Sequence, residues 1–329
     1  MPNFSAGILG IGTYVPEKVL TNFDLEKMVD TNDEWIRVRT GISERRIAAE
    51  DESTSDLAAK AAKAAIEDAG IDPGEIDLIL LATASPDMIF PSTACLTQHK
   101  LGIKGCAAFD IQAVCTGFPY ALATASQFIE TGMYKKVLVI GAETMSRLIN
   151  WEDRRTCILF GDGAGAFVLG RVEKGYGVVS NFLAADGSGS DMLKVPAGGT
   201  ARPASHETID QQLHFVQMNG NEVFKFAVRI IPTTVITALE AAGLKVDDID
   251  YFIPHQANIR IIDSAIKKLG VPKAKVVVNL SKYANTSSAS IPLALNDIYK
   301  AKSLKRGDIL LFVGFGAGLT WGANVVRWY

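Results

Sequence analysis

No stretch of this sequence reaches the roughly 18 consecutive apolar residues that a membrane-spanning helix needs, although 48% of its 329 residues are hydrophobic. The apolar material comes in short runs. That predicts a compact chain with a buried core and length for about two domain-sized units. The opening MPNFSAGILGIGTYVP has neither the positive start nor the unbroken apolar stretch of a secretory signal, so a cytoplasmic protein that does not enter a membrane is expected. An excess of one charge is also missing. A formal net charge of -3 and a pI near 5.9 argue against a general nucleic-acid binder, and an acidic partner would have to meet a local basic patch. Cysteine is scarce: Cys95, Cys106, Cys115 and Cys157 show no CxxC spacing and no neighbouring histidine cluster. Neither a metal site nor a disulfide framework is expected.

What the chain does have is repetition. EDAGIDPGEIDLILLATAS at 67–85 parallels LEAAGLKVDDIDYFIPHQAN at 239–258, HKLGIKGCAAFDI parallels KKLGVPKAKVVVN, and KVLVIGAE parallels DILLFVGFGAG, each displaced by about 170 residues. Apolar runs such as LILLATA, KVLVIGA, KVVVNL and ILLFVGF alternate with Ala- or Lys-rich helical segments. This is the pattern of βαβ units in layered α/β sheets covered by helices. Two similar halves, 1–175 and 176–329, are expected to pack as one body. The helix read from DLAAKAAKAAIEDAG should stop at Gly70, and the polar stretch 185–212 should form a loop excursion near a site mouth.

DIQAVCTGFPYALATAS places Cys115 where a strand should end and a helix begin. The helix dipole and its free N–H groups favour a thiolate there, which brings a cysteine from about 8.5 into the range of roughly 3.5–7.5. Pro119 is tolerated in the first turn, and Gly117 would let a substrate thioester approach. The repeat pairs Cys115 with Asn285, so two helix starts could converge on one pocket. His255 follows the strand-like IDYFIP; a buried structural histidine and an N-capping Asn285 are the plainer readings of each alone. Together, Cys115, His255 and Asn285 point to a catalytic trio. The papain-like surroundings of a thiol protease nucleophile are missing. GDGAGA at 161–166 runs into a strand-like AFVLG, whereas a dinucleotide fingerprint must open a helix.

The motifs AVCTGF, PHQANIR, NTSSASIPLAL and GFGAGLTWG, with GIGTYVPE, DTNDEWIRVRTGI, FGDGAGA and GNEVFKFAV in order along the chain, resemble the β-ketoacyl-acyl carrier protein synthase III family of the thiolase superfamily. The resemblance implies a duplicated thiolase-like fold with α-β-α-β-α layers and a condensing enzyme that starts fatty-acid chains. In that reaction Cys115 takes an acyl group, typically acetyl, from coenzyme A, and malonyl-acyl carrier protein then loses carbon dioxide and attacks the acyl thioester. The resemblance makes Cys115 the nucleophile and gives His255 and Asn285 the thioester oxygen. It builds an oxyanion hole from the backbone N–H groups of Cys115 and Ala317, the latter where many relatives carry glycine.

By the same resemblance Trp35 and Arg154 hold the adenine of coenzyme A, Arg39 and Thr40 lie near its phosphates, and Asn258 near its pantetheine. Phe90 enters the acyl pocket of a partner, which implies a homodimer. On a helix from Ile259, residues Ile259, Ile262, Ile266 and Leu269 share one face and Arg260, Lys267 and Lys268 lie roughly opposite. A solvated surface helix is the bland reading; the resemblance makes it the dock for an acidic carrier protein, with Gln256 and Arg260 at its start. No cofactor is expected beyond these substrates. Two rivals stay open at this point: a condensing enzyme of a secondary pathway, and a catalytically silent carrier-binding module.

Overall fold

The computed structural model describes residues 4–329. Its first sheet has five strands in the order Phe4–Tyr14, Asp162–Glu173, Lys136–Thr144, Leu78–Ala82, Ala107–Ile111. The second has four, Gly177–Ala185, Thr320–Arg327, Ile309–Gly316 and Tyr251–Pro254. The two orders correspond strand for strand. Leu78 and Tyr251, Lys136 and Ile309, Phe4 and Gly177, and the short helical turns beginning at Pro73 and Val246 all stand 173 residues apart. The counterpart of the fifth strand is reduced to a single bridge, Phe252 to Val276.

The sheets sit between three helical layers because their central strands are apolar on both faces. Leu78, Leu80, Val137 and Val139 face a central cluster, while Ile79, Leu81, Leu138 and Ile140 face an outer one. The central layer is the helix pair Gly117–Glu130 and Ser290–Lys300, which contributes Phe118, Leu122, Ile291 and Leu295. The outer helices are Thr54–Asp68 and Thr93–Lys100 on one sheet and Gly220–Ala241 and Ile259–Leu269 on the other. This is the α-β-α-β-α stack that the fold class requires.

The helix Thr54–Asp68 shows how sequence sets this packing. Ser53 and Asp56 form a capping box, Leu57, Ala58, Ala61, Ala62, Ala65 and Ile66 bury one face, and Gly70 follows at φ +63. Alanine lets the helix lie almost on the first strand: a Cβ on Gly12 would come within 2.1 Å of Ala65 N. GDGAGA runs from Gly161 into the strand Asp162–Glu173, where a Cβ on Gly165 would come within 2.6 Å of Pro292 on the central helix. These glycines serve packing. No helix among the described residues is long and apolar enough to cross a membrane.

Candidate active site between the halves

The central helices begin alike. Each follows a 3-10 turn, Val114–Thr116 or Ser287–Ala289, whose first residue has a positive φ, +48 at Val114 and +49 at Ser287. The offset corrects the pairing read from sequence. At 173 residues the counterpart of Cys115 is Ser288, and Asn285 answers to Gln112; the shorter offset came from matching motifs across loops of unequal length. The expected convergence does occur, because Cys115, His255 and Asn285 line one cavity of about 140 Å³.

Cys115 is 5% exposed. The end of the strand Ile309–Gly316 presses on it so closely that a Cβ on Gly316 would lie 3.0 Å from the Cys115 Cβ. Thr116 Oγ1 donates to Thr320 O at 3.1 Å, and Thr320 Oγ1 lies 3.1 Å from Ala113 O and 3.0 Å from Ala317 O, which ties the glycine-rich turn to the nucleophile turn. The N–H groups of Cys115 and Ala317 find no acceptor among the described residues. Gly117 has a different use from the one expected: its missing Cβ would meet Ala82 Cβ at 3.0 Å, so it permits packing inside the protein and not approach of a substrate. The expected low thiol pKa is also reversed. Burial pushes Cys115 up to about 12, Glu143 adds to the rise, and the Ser287 hydroxyl and the backbone pull the other way.

His255 directly follows the strand Tyr251–Pro254 and is 1% exposed. Its N–H donates to Val313 O at 2.8 Å, its Nδ1 lies 2.7 Å from Ser290 Oγ, and its ring meets Phe315 edge-on at 5.5 Å. Burial lowers its pKa to about 3, so the imidazole is neutral at physiological pH. Asn285 is held between the halves, its N–H donating to Leu159 O at 2.9 Å and its carbonyl accepting from Gly161 N at 3.1 Å. Its Oδ1 accepts the Ser287 N–H at 2.8 Å. That is a local turn and not a helix cap, and it leaves the side-chain NH₂ as a free donor.

A second cavity of about 200 Å³ opens on the other side of Cys115, lined by Ala84, Met145, Leu148, Phe160, Val216 and Ala317 among others. Ala84, Gln112, Leu148 and Val195 continue into an open groove of about 610 Å³ that reaches Met88 and Ile89. Phe90, beside them, is 82% exposed. Leu193, from the polar excursion, lines both cavities at Cys115.

Among the remaining expected residues, Asn258 lines the cavity with Cys115 and caps the helix Ile259–Leu269. Arg39 and Arg154 stand 4.9 Å and 5.6 Å from the Trp35 ring centroid. Thr40 does not join them: it is buried, donates to Ile36 O at 2.6 Å and accepts from Ile42 N, and so has nothing left for a nucleotide. Thr31, two residues before the helix Asp33–Thr40, has a buried hydroxyl without a partner among the described residues. Gln256 is withdrawn from the docking set as well, since its side chain is fully buried and bonded to Pro254 O, Val277 O and Asn279 N. The basic helix buries Ile261, Ile262, Ala265 and Ile266, with Ile259 and Leu269 only half-buried, and exposes Arg260, Lys267 and Lys268. Arg260 lies 5.5 Å from the ring of Phe224, another cavity residue.

Sequence reasoning missed Glu143. This fully buried carboxylate takes hydrogen bonds from Thr83 Oγ1, Ala84 N, Ser85 N, Ser85 Oγ and Ser288 Oγ. Burial raises its pKa against those donors. The available signal was an acid closing the apolar run KVLVIGA. No group of three or more potential metal ligands occurs among the described residues.

Two family descriptions match the chain, "3-Oxoacyl-[acyl-carrier-protein (ACP)] synthase III" over residues 109–187 and its C-terminal counterpart over residues 239–328. A β-ketoacyl-[acyl-carrier-protein] synthase III of Caldanaerobacter subterraneus is 59% identical over 324 residues, 98% of both chains. One from Clostridioides difficile is 55% identical over 326 residues, 99% of both chains. The crystal structure of 3-oxoacyl-[acyl-carrier-protein] synthase III from Aquifex aeolicus superimposes with a TM-score of 0.91 at 49% identity, covering 98% of this chain and 100% of that one.

Proposed function

Because this chain belongs to the 3-oxoacyl-[acyl-carrier-protein] synthase III family, the initiating condensing enzymes of fatty-acid synthesis, we propose that Cys115, His255 and Asn285 are the groups that carry out its acyl transfer and condensation. The observation that carries this reading is their meeting in one buried cavity with the imidazole neutral.

In the first half-reaction the Cys115 sulfur attacks the thioester carbonyl of an acyl-coenzyme A, and the thiol proton ends on the departing coenzyme A sulfur. A thiol that rests protonated is consistent with this balance, since the proton is needed by the leaving group. The N–H groups of Cys115 and Ala317, free of partners and adjoining the second cavity, would receive the carbonyl oxygen as it gains charge. That second, apolar cavity suits a short acyl chain. In the second half-reaction malonyl-acyl carrier protein releases carbon dioxide, and the electron pair of the broken C–C bond becomes an enolate. Negative charge then gathers on the thioester oxygen, where neutral donors from His255 and Asn285 stabilise it. The enolate carbon attacks the acyl-Cys115 carbonyl, and the sulfur leaves and regains a proton from solvent.

Trp35, Arg39 and Arg154 form a cationic and aromatic surface for the coenzyme A nucleotide. Asn258 stands where the pantetheine would pass. Arg260, Lys267 and Lys268 suit an acidic carrier, and the exposed Met88, Ile89 and Phe90 suit burial against a second copy of the chain. Coenzyme A and the carrier act here as substrates.

The test is intact mass after incubation with acetyl-coenzyme A. One acetyl group on Cys115 is expected, released when malonyl-acyl carrier protein is added, and an unchanged mass defeats the assignment. In the same assay Arg260→Glu should raise the KM for the carrier substrate and spare transfer from coenzyme A. Equal effects on both would remove the docking role.

A further inference from the structure

The two nitrogens of the buried His255 ring are used differently. Nδ1 lies 2.7 Å from Ser290 Oγ, while Nε2 has no hydrogen-bond partner among the described residues and the residue lines the cavity. The Ser290 hydroxyl already accepts the Gln256 N–H at 3.3 Å and has no further partner among the described residues. Its own proton therefore has one destination, the Nδ1 lone pair. In the opposite arrangement Nδ1–H would donate to Oγ and strand the hydroxyl proton at a residue that is 2% exposed. Folded proteins avoid an unsatisfied buried donor of that kind.

We propose that Ser290 is the positioning residue of His255, holding the imidazole as its Nε2–H tautomer so that the nitrogen on the cavity side is a hydrogen-bond donor. The inference rests on the reading of His255 as a donor to the thioester oxygen and names what makes it one. A neutral imidazole offers one donor and one acceptor, and with the wrong tautomer the cavity would meet a lone pair where the enolate oxygen forms. The hydroxyl is not a requirement of the fold at this turn. The counterpart positions in the first half, Ala82 and Gly117, pack against each other with no polar atom in either side chain.

Nitrogen NMR of the whole protein labelled at its four histidines tests this without turnover, the His255 signals being those lost in His255→Gln. The wild type should show a protonated Nε2 and a bare Nδ1, and Ser290→Ala should move His255 to Nδ1–H or to a mixture. In kinetics, Ser290→Ala should lower kcat for malonyl decarboxylation roughly 10- to 100-fold, more than it lowers acyl transfer from coenzyme A, and Ser290→Thr should recover part of the loss. Nδ1–H at His255 in the wild type overturns the proposal. So does a Ser290→Ala variant that keeps both tautomer and rate. Undiminished decarboxylation by His255→Ala, which leaves no donor at this position, would instead overturn the donor reading beneath it, whatever the tautomer found.

Discussion

The two halves build the same junction and put it to opposite uses. In the first, Cys115 follows the positive-φ residue of its turn and abuts Gly316 of the other half. In the second, Ser288 follows the positive-φ residue of its turn and abuts Glu143, which stands 173 residues before Gly316; Ser288 Oγ lies 2.8 Å from Glu143 Oε1 and 2.9 Å from Ala82 O. The neighbouring glycines repeat the correspondence, since a Cβ on Gly314 would approach Cys115 O at 3.2 Å and one on Gly141 would approach Ser288 O at 2.5 Å. One junction is left hollow by a glycine and opens on a cavity. Its mate is filled by a carboxylate and sealed by hydrogen bonds. The duplicated backbone thus supplies two equivalent turns, one facing a glycine and lining a cavity and the other facing a carboxylate, and side-chain volume at that position is expected to decide which of them substrate can reach.

The largest test of that comparison copies the filled junction into the hollow one. Gly316→Glu should abolish acetylation of Cys115 in an intact-mass assay, and normal acylation would show that the hollow at this position is not the determinant. The converse change, Glu143→Ala, removes the acceptor from several buried donors, each worth about 1–3 kcal/mol when left unpaired, so urea unfolding should show a loss of about 3 kcal/mol or more, with Glu143→Gln costing less. Asn285→Ala should acylate normally but condense about 10²- to 10³-fold more slowly, the cost of one donor to a developing oxyanion; a defect in acylation alone would contradict the division of labour. The smallest effect concerns His255. The unfolded chain binds a proton at this residue below about pH 6.5 and the folded one not until about 3. The wild type should therefore lose about 2 kcal/mol relative to His255→Gln on going from about pH 8 to pH 5, nearly all of it below about pH 7.

Much of this architecture is legible in the residues. Apolar runs mark strands covered on both faces, the alanine spacing of 54–68 marks a helix that hugs its sheet, and Cys115 and His255 stand at the element ends where chemistry is usually placed. The failures share a cause. Thr40 and Gln256 lie next to functional residues along the chain, but their side chains turn into the protein, and one position along a helix or strand is enough to change face. The expected thiolate failed because the dipole is local to the helix whereas desolvation depends on everything packed around the sulfur. Glu143 went unnoticed because its donors come from segments about 60 and 145 residues away, a separation that no local pattern reports.

The way Asn285 is fastened has a mechanical consequence. Its backbone is bonded on both sides to Leu159 and Gly161, which belong to the half that carries the thiol. The turn that carries the amide is thus seated on the half that carries the sulfur, and five residues further on Ser290 reaches the His255 ring, so one short segment joins the surroundings of all three groups.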